Sequence, residues 1–338
     1  MSRYDTRMQS VIAMALDSRL LASALTSRQG QGWPELPALS ALLHHAQRLP
    51  DANWHRGVMT ALELAAADCL PVQMAAQALP SVSPGAGICL ALPVHVVAGI
   101  SRMFLGEPQA VTPDEQESLR LAFNAEFGSA QVGLHAVGSG WLLQAPFASA
   151  ADDDSPENLL GVALAREPAV TPAARSLRRL GAEVEIWLSS LPLNRIREQR
   201  GQSPINSFWF WGGGVAAELP QAMVQARRFC SNAPPDAWMA GLAAHMGTTV
   251  QCDAGWSKQC EGALVLLHSS QRQSWDEQLA EWDSAWLAPA WRDVQGRRLH
   301  GLRLQLGQTV WQLPAARWRR WLRRARPWWQ QLATGATA

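Results

Sequence analysis

The stretch LPLNRIREQRGQSPINSFWFWGGG, residues 191–214, decides the fold prediction. It joins an arginine-rich polar connection to a short aromatic run that ends in three glycines. The run 205–211 carries no charge, as is typical of a strand buried on both faces of a sheet. We therefore predict a polar connection, a central strand at 205–211 and a strand-end turn at 212–214.

The segments after this stretch alternate between helix and strand patterns. Such alternation is typical of α/β folds with a largely parallel sheet. The predicted elements are helices at 220–229 and 274–287 and strands near 248–252, 263–267 and 299–306.

The segments before this stretch predict a different organisation. Residues 88–98 have the pattern of a buried strand, and Thr112-Pro-Asp-Glu115 is a capping box that opens a helix to Phe127. Residues 131–137 and 141–145 alternate around a Gly-Ser-Gly turn, which indicates a hairpin. Together they predict a small α+β unit. The first 80 residues are expected to be mostly helical, with helices at 11–27, 37–47 and 57–68.

Composition limits the classes of function. The chain has 338 residues, 48% of them hydrophobic, which is enough for two domains. Its net charge of +1 predicts no global attraction to nucleic acid or membranes. Five scattered cysteines without a CxxC motif, and no visible secretory signal or membrane span, favour a reducing cytoplasm.

The 191–214 motif resembles a segment of archaeal-type, cofactor-independent phosphoglycerate mutases, metalloenzymes of the alkaline phosphatase superfamily. Most of the chain resembles bacterial proteins described as phosphoglycerate-mutase-like or Rpf-type regulatory proteins. That wider resemblance includes Leu92-Pro-Val-His95, residues 275–291 and residues 299–304.

The resemblance implies an α/β fold with an alkaline-phosphatase-like sheet-and-helix core and a smaller inserted α+β domain. The core is expected from residues 1–85 and 201–312, and the inserted domain from residues 86–200. Residues 313–338 form a separate Arg/Trp-rich C-terminal segment.

Enzymes of this family hold two metal ions with Asp and His ligands beside a hydroxyl nucleophile. The corresponding segments read Leu266-Leu-His268-Ser-Ser and Leu302-Arg-Leu-Gln-Leu-Gly307, and Asp17 is a poor N-terminal ligand. We therefore expect no metal, no cofactor and no catalytic residue. The predicted function is regulation or binding of a ligand or partner, and the alternative is a mutase or phosphatase with an atypical site.

Any small anionic ligand is expected between core and inserted domain, where arginines could hold a phosphate or carboxylate. In the alternative, the two asparagines brace the backbone. The candidate residues are Asn194, Arg197, Arg200, Asn206, Gly212, Gly213 and Gly214.

Residues 317–329 hold six arginines and four tryptophans, so the rest of the chain has a net charge of −5 (+1 minus +6). We expect a helix as far as Arg326 whose tryptophans dock on the protein. The alternative is a nucleic-acid or anionic-membrane surface made by the arginines. Its members would be Arg317, Arg319, Arg320, Arg323 and Arg324.

Three weaker patterns involve glycines, cysteines and a histidine. Gly212-Gly-Gly-Val-Ala-Ala217 fits the dinucleotide motif formally, but Pro220 places the next helix too late to bind a pyrophosphate. Cys252, Asp253 and Cys260 lie near His245, and buried thiols are expected there rather than a metal. His268 ends an apolar strand, a position that often carries chemistry in α/β proteins. Because no acid or second histidine lies beside it in the sequence, a hydrogen-bonded structural histidine is expected there instead.

Overall fold

The structure is a computed structural model, and the chain folds into two compact units. Unit 1 contains Met1–Asp68, Ala222–Pro234 and Met246–Ala338, and unit 2 contains Cys69–Gln221 and Pro235–His245. No described helix is long and apolar enough to cross a membrane. The described residues are 10–14, 32–50, 54–62, 69–99, 103–152, 163–164, 169–220, 228–257, 262–268, 274–299, 301–307, 309–313 and 326–333.

The described strands belong to two sheets, one in each unit. In chain order they are β1 (Ser10–Met14), β2 (Gln47–Leu49), β3 (Gly87–Ala98), β4 (Met103–Pro108), β5 (Gly133–Val137), β6 (Gly140–Gln144), β7 (Ala163–Leu164), β8 (Ser207–Val215), β9 (Phe229–Ser231), β10 (Val250–Cys252), β11 (Leu264–Leu267), β12 (Leu302–Leu306) and β13 (Thr309–Leu313).

The described α-helices also divide between the units. In chain order they are α1 (Pro37–His45), α2 (Trp54–Ala61), α3 (Pro71–Ala76), α4 (Pro113–Phe127), α5 (Pro172–Ser190), α6 (Pro192–Gln199), α7 (Ala237–His245), α8 (Trp275–Trp282), α9 (Ala288–Gln295) and α10 (Trp328–Ala333). A single π-helical turn, Asp283–Leu287, joins α8 to α9.

Unit 1 is built on a seven-stranded sheet in the order β10-β9-β11-β1-β12-β13-β2. The first five strands are mutually parallel, and β13 and β2 add an antiparallel edge. Apolar residues of α1, α8, the π-helical turn and α9 pack in one core with those of the sheet. The predicted α/β class is therefore confirmed.

The prediction of a helix at 11–27 is wrong where the structure describes it. Residues Ser10–Met14 form β1, in the middle of the parallel strands between β11 and β12. All five residues are buried, and a strand covered on both faces gives a continuous apolar run instead of an alternation. Periodicity alone does not separate such a run from a buried helix. Residues 15–27 lie outside the described part of the chain.

Unit 2 contains a six-stranded sheet in which β3 pairs antiparallel with β4, β6 and β8. The predicted hairpin is β5–β6, and the capping box before α4 is formed by Thr112 and Glu115. Apolar residues of α4 and α5 pack on this sheet in the core that contains Trp141 and Phe208.

Two predictions near the opening motif are wrong. Among the described strands β8 pairs with β3 alone, so it is not central, and Trp209, Phe210 and Trp211 are half-buried. The glycines 212–214 lie within β8 instead of forming a turn after it. The polar connection is helix α6, because Pro192 opens a helix that buries Asn194 and Arg197, three residues apart, on one face.

The limits of the units also differ from the expected domain limits of 86–200. Residues of α3 pack with β3 and α7 in a second core of unit 2, which includes Val72, Ile88 and Ala237. Pairing of β8 with β3 places residues 207–215 in the same unit. Unit 2 therefore consists of Cys69–Gln221 and Pro235–His245.

Candidate functional site

The carboxyl ends of the parallel strands in unit 1 form the first candidate site. In α/β proteins ligands commonly bind at this edge of the sheet. The register pairs Ser231 of β9 with Leu266 of β11 on one side and with Cys252 of β10 on the other. The polar residues at these strand ends, Ser231, Asn232, Asp253 and His268, are called the strand-end cluster below.

Hydrogen bonds between neighbouring strand ends hold this cluster. The Asn232 amide donates to the His268 carbonyl at 2.9 Å and accepts from the His268 N–H at 2.7 Å. The Asp253 N–H donates to the Ser231 carbonyl at 2.9 Å. Asn232 therefore uses both ends of its amide to join β9 to β11.

The carboxylate of Asp253 is partly exposed, and its two oxygens differ in environment. Oδ2 is shielded from solvent and has no hydrogen-bond partner in the described residues. An oxygen that solvent does not reach is closed to a ligand as well. Beside it, the exposed Cys252 thiol donates a weak hydrogen bond to the Ala233 carbonyl at 3.5 Å.

The ends of β1 and β12 are also joined by internal hydrogen bonds. The Gly307 N–H donates to the Met14 carbonyl at 3.1 Å. Gln305, fully buried in β12, donates from Nε2 to the carbonyls of Trp54 at 3.0 Å and Gly307 at 3.1 Å. A Cβ on residue 57 of α2 would lie 2.6 Å from Gln305 Oε1. Only glycine at position 57 therefore leaves space for the Gln305 amide.

No group of three or more His, Cys, Asp or Glu side chains that could hold a metal ion occurs within the described residues. Cys252 and Asp253 end β10, whereas His245 ends α7 in unit 2. Asp17 and Cys260 lie outside the described part. The absence of a metal centre stays a prediction.

The predicted ligand residues all lie in unit 2, and two of them brace the backbone. Asn194 donates to the carbonyls of Leu188 at 2.9 Å and Ile205 at 2.8 Å, and it accepts from the Ile205 N–H at 2.8 Å. Asn206 pairs with both backbone groups of Val96, at 2.7 and 2.9 Å. These bonds correspond to the bracing alternative.

The two predicted arginines have opposite environments. Arg197 is 2% exposed and forms a buried ion pair with Glu115 at 3.1 Å. Its other nitrogens donate to the Ser203 carbonyl at 3.0 Å and to Gln109 Oε1 at 3.3 Å. Arg200, just after α6, is exposed. Asn194, Arg197, Glu115 and Asn206 are called the interior cluster below.

The glycines at 212–214 allow close backbone approach. Gly212 has a φ of +62°, in the left-handed region that favours glycine. The N–H groups of Gly212 and Gly213 donate to the carbonyls of Asp152 at 2.7 Å and Ala151 at 3.3 Å. A Cβ on Gly213 would lie 2.7 Å from the carbonyl oxygens of Ser149 and Ala151, and on Gly214 it would press on Val72. Ligand binding by these residues stays a prediction.

Most of the Arg/Trp-rich segment, 314–325, lies outside the described residues, and with it the predicted helix and the possible arginine surface. Within the described residues 326–333, helix α10 begins directly after Pro327. Trp328 is 1% exposed and donates from Nε1 to the Pro34 carbonyl at 3.1 Å. This tryptophan is therefore docked within unit 1.

Sequence reasoning missed Asn232, because residues 220–229 were predicted as helix, whereas Phe229–Ser231 form β9. The sequence did carry a signal for Asn232. This polar residue directly follows a short run that ends at Ser231, as His268 directly follows β11. Parallel strands bring such positions to one edge of a sheet.

No protein-family model matches the chain, and no curated protein matches its sequence. The fold resembles a cofactor-independent phosphoglycerate mutase from Thermoplasma acidophilum, with a TM-score of 0.40 and 16% identity over 90% of this chain and 89% of that one. It also resembles the PH0037 protein from Pyrococcus horikoshii, with a TM-score of 0.45 and 10% identity over 91% and 87%. At these values nothing about either protein's activity is transferred to this chain.

Proposed function

We propose that this chain is a phosphoglycerate-mutase-like regulatory protein that binds a small anionic ligand or a protein partner and performs no metal-dependent phosphoryl transfer. The same proposal places it in the cytoplasm, on the sequence arguments above. Its support is the resemblance at residues 191–214 together with the chemistry of the strand ends in unit 1.

The observation that carries the proposal is that two amides at the strand ends of unit 1, those of Gln305 and Asn232, are bonded to the backbone. In-line phosphoryl transfer between two metal ions requires several carboxylate and imidazole ligands. At the end of β12 the Gln305 amide bonds to two carbonyls and lies against Gly57. At the ends of β9 and β11 the Asn232 amide bonds to the backbone of His268. These side chains stabilise the sheet edge.

The first experiment tests turnover. Purified full-length protein is loaded with Mn²⁺ or Zn²⁺, dialysed, and assayed for bound metal and for activity on 3-phosphoglycerate and p-nitrophenyl phosphate. We expect substoichiometric metal and no activity sensitive to a chelator. Two bound metal ions per chain, with turnover abolished by the chelator and by His268→Ala but not by His95→Ala in unit 2, would contradict the proposal.

For the anionic ligand we propose Arg200 as the contact. A guanidinium exposed at the surface is available to pair with phosphate or carboxylate, whereas that of Arg197 is already paired with Glu115. Arg195 is exposed on α6, five residues before Arg200, and gives a matched control.

The second experiment measures the Tm of three proteins with millimolar 3-phosphoglycerate, because a ligand that binds only the native state raises Tm by mass action. We expect a rise for the wild type and for Arg195→Ala, and a much smaller rise for Arg200→Ala. Equal rises in all three would exclude Arg200. No rise in the wild type would remove phosphoglycerate as the ligand.

A further inference from the structure

Helix α1 of unit 1 is capped by a residue that is distant in sequence. Its N-cap residue, Leu36, has no side chain that can accept a hydrogen bond. Asp283 instead accepts from the N–H of Ala38 at 3.1 Å and from the N–H of Leu39 at 2.7 Å. Asp283 is 4% exposed and is the first residue of the π-helical turn between α8 and α9. The turn therefore supplies the cap that the local sequence of α1 lacks.

The same first turn of α1 holds the C-terminal helix α10. The Trp328 N–H donates to Ser40 Oγ at 3.1 Å, and the Gln331 amide donates to the Ser40 carbonyl at 3.0 Å. Trp328 and Leu332 are buried in the core of unit 1. Because α10 has six residues, it is too short to be stable alone and depends on this docking.

Aromatic rings connect α10 to the helix that precedes the π-helical turn. Trp328 contacts Trp33 edge-on at a centroid distance of 5.2 Å and Trp275 at 6.0 Å. Trp275 is the first residue of α8, the helix that leads to Asp283. The segment 275–283 thus contacts both α1 and α10.

We propose that the π-helical turn is a latch for the C-terminal helix: Asp283 fixes the first turn of α1, and displacement of Asp283 releases α10. The inference is independent of the ligand and the metal tests above. Removing the carboxylate leaves the N–H groups of Ala38 and Leu39 without acceptors, so the turn that carries Ser40 loosens. π-helical turns inside helices frequently occur at functional positions.

Hydrogen–deuterium exchange with mass spectrometry on the full chain tests the latch. In Asp283→Ala we expect exchange about threefold to thirtyfold faster in residues 328–333 as well as at 38–39, the range that corresponds to loss of a helix cap. In Ser40→Ala we expect faster exchange at 328–333 only. Glu126→Gln removes an exposed acid of α4 in unit 2 and is expected to match the wild type.

The latch is decided by whether the loss of the Asp283 carboxylate changes exchange in α10 as well as in α1. Faster exchange at 38–39 with unchanged exchange at 328–333 in Asp283→Ala would overturn the latch. Asp283→Asn keeps one carbonyl acceptor in nearly the same shape, and we expect an intermediate effect at both segments. If Asp283→Ala does not fold, Asp283→Asn supplies the same comparison: the latch fails if only 38–39 respond.

Discussion

The interior cluster of unit 2 and the strand-end cluster of unit 1 use similar residue types in opposite ways. In the interior cluster Asn194 and Arg197 are buried and bonded to partners on several segments. In the strand-end cluster Asn232, Asp253 and His268 are half-exposed, and the bonds described there link adjacent strand ends. Asn194 and Arg197, in the most distinctive motif of the sequence, are thus bonded inside unit 2, whereas the strand-end cluster is partly open to solvent.

The largest expected loss of stability comes from replacing the buried arginine of the interior cluster. Arg197→Ala removes one member of a buried ion pair and leaves the Glu115 carboxylate without its partner, so we expect a loss of about 3–5 kcal/mol in the free energy of unfolding. Guanidinium unfolding curves measure it. Arg200→Ala, three residues away and exposed, is the control and should stay within about 0.5 kcal/mol of the wild type. Equal stability of the two variants would contradict the assignment.

The second prediction concerns the buried asparagine. Asn194→Ala leaves the N–H and carbonyl of Ile205 without their partner inside unit 2 and removes one of the two hydrogen bonds to the Leu188 carbonyl, so we expect a loss of about 3 kcal/mol in the free energy of unfolding. Asn206→Ala affects a half-buried site where water can replace the side chain, so its cost should be about 1 kcal/mol. The same unfolding curves compare them, and the reverse order would refute the burial argument.

Substitutions in the strand-end cluster should lower the free energy of unfolding by less than those in the interior cluster. Asn232→Ala removes two hydrogen bonds from a half-exposed position, and we expect a loss of about 1–2 kcal/mol in the free energy of unfolding. The change should be local, with faster amide exchange at His268 and unchanged exchange at Ile205 in unit 2. A loss as large as that of Asn194→Ala would show that the two clusters do not differ.

The smallest expected effect is a pH dependence of the free energy of unfolding. Burial raises the pKa of Asp283 above its ordinary value of 3.8, and the hydrogen bonds from Leu39 and Ala38 only partly oppose the shift. Between pH 3.8 and the raised pKa, the native state holds more protons than the unfolded state, so the free energy of unfolding falls as pH rises. Above the raised pKa, this loss of stability no longer changes with pH. Asp283→Asn should remove this fall, and unfolding curves at successive pH values above 3.8 check it. An identical pH profile in both proteins would contradict the prediction.

Local signals in the sequence predicted local structure well. The capping box at Thr112 and the hairpin at Gly138 depend on residues within a few positions, and both are present. The strand β1 was mistaken for helix because its partners, Leu264 and Leu302 among them, lie more than 250 residues away. The sequence near Val11 does not contain that information.

The candidate site shows the same limit. The i, i+3 spacing of Asn194 and Arg197 could have indicated one buried face of a helix. Their bonding partners could not be predicted, because Glu115 and Ile205 reach them only through the tertiary fold. Asn232 became a candidate only when β9 was placed between β10 and β11.

The position of β1 also has a consequence for synthesis on the ribosome. Unit 2 is complete once residue 245 has been made, but Val11 of β1 must wait for its partner Leu264, and Ser10 for Leu302. At about 5–20 residues per second, the N-terminal apolar strand is unpaired for roughly 10 to 60 s. A nascent chain halted after residue 245 has left the ribosome, but before Leu264 has emerged, should therefore carry a folded unit 2 and an unpaired, chaperone-binding β1. Pulse proteolysis of such chains should cleave β1 faster than unit 2.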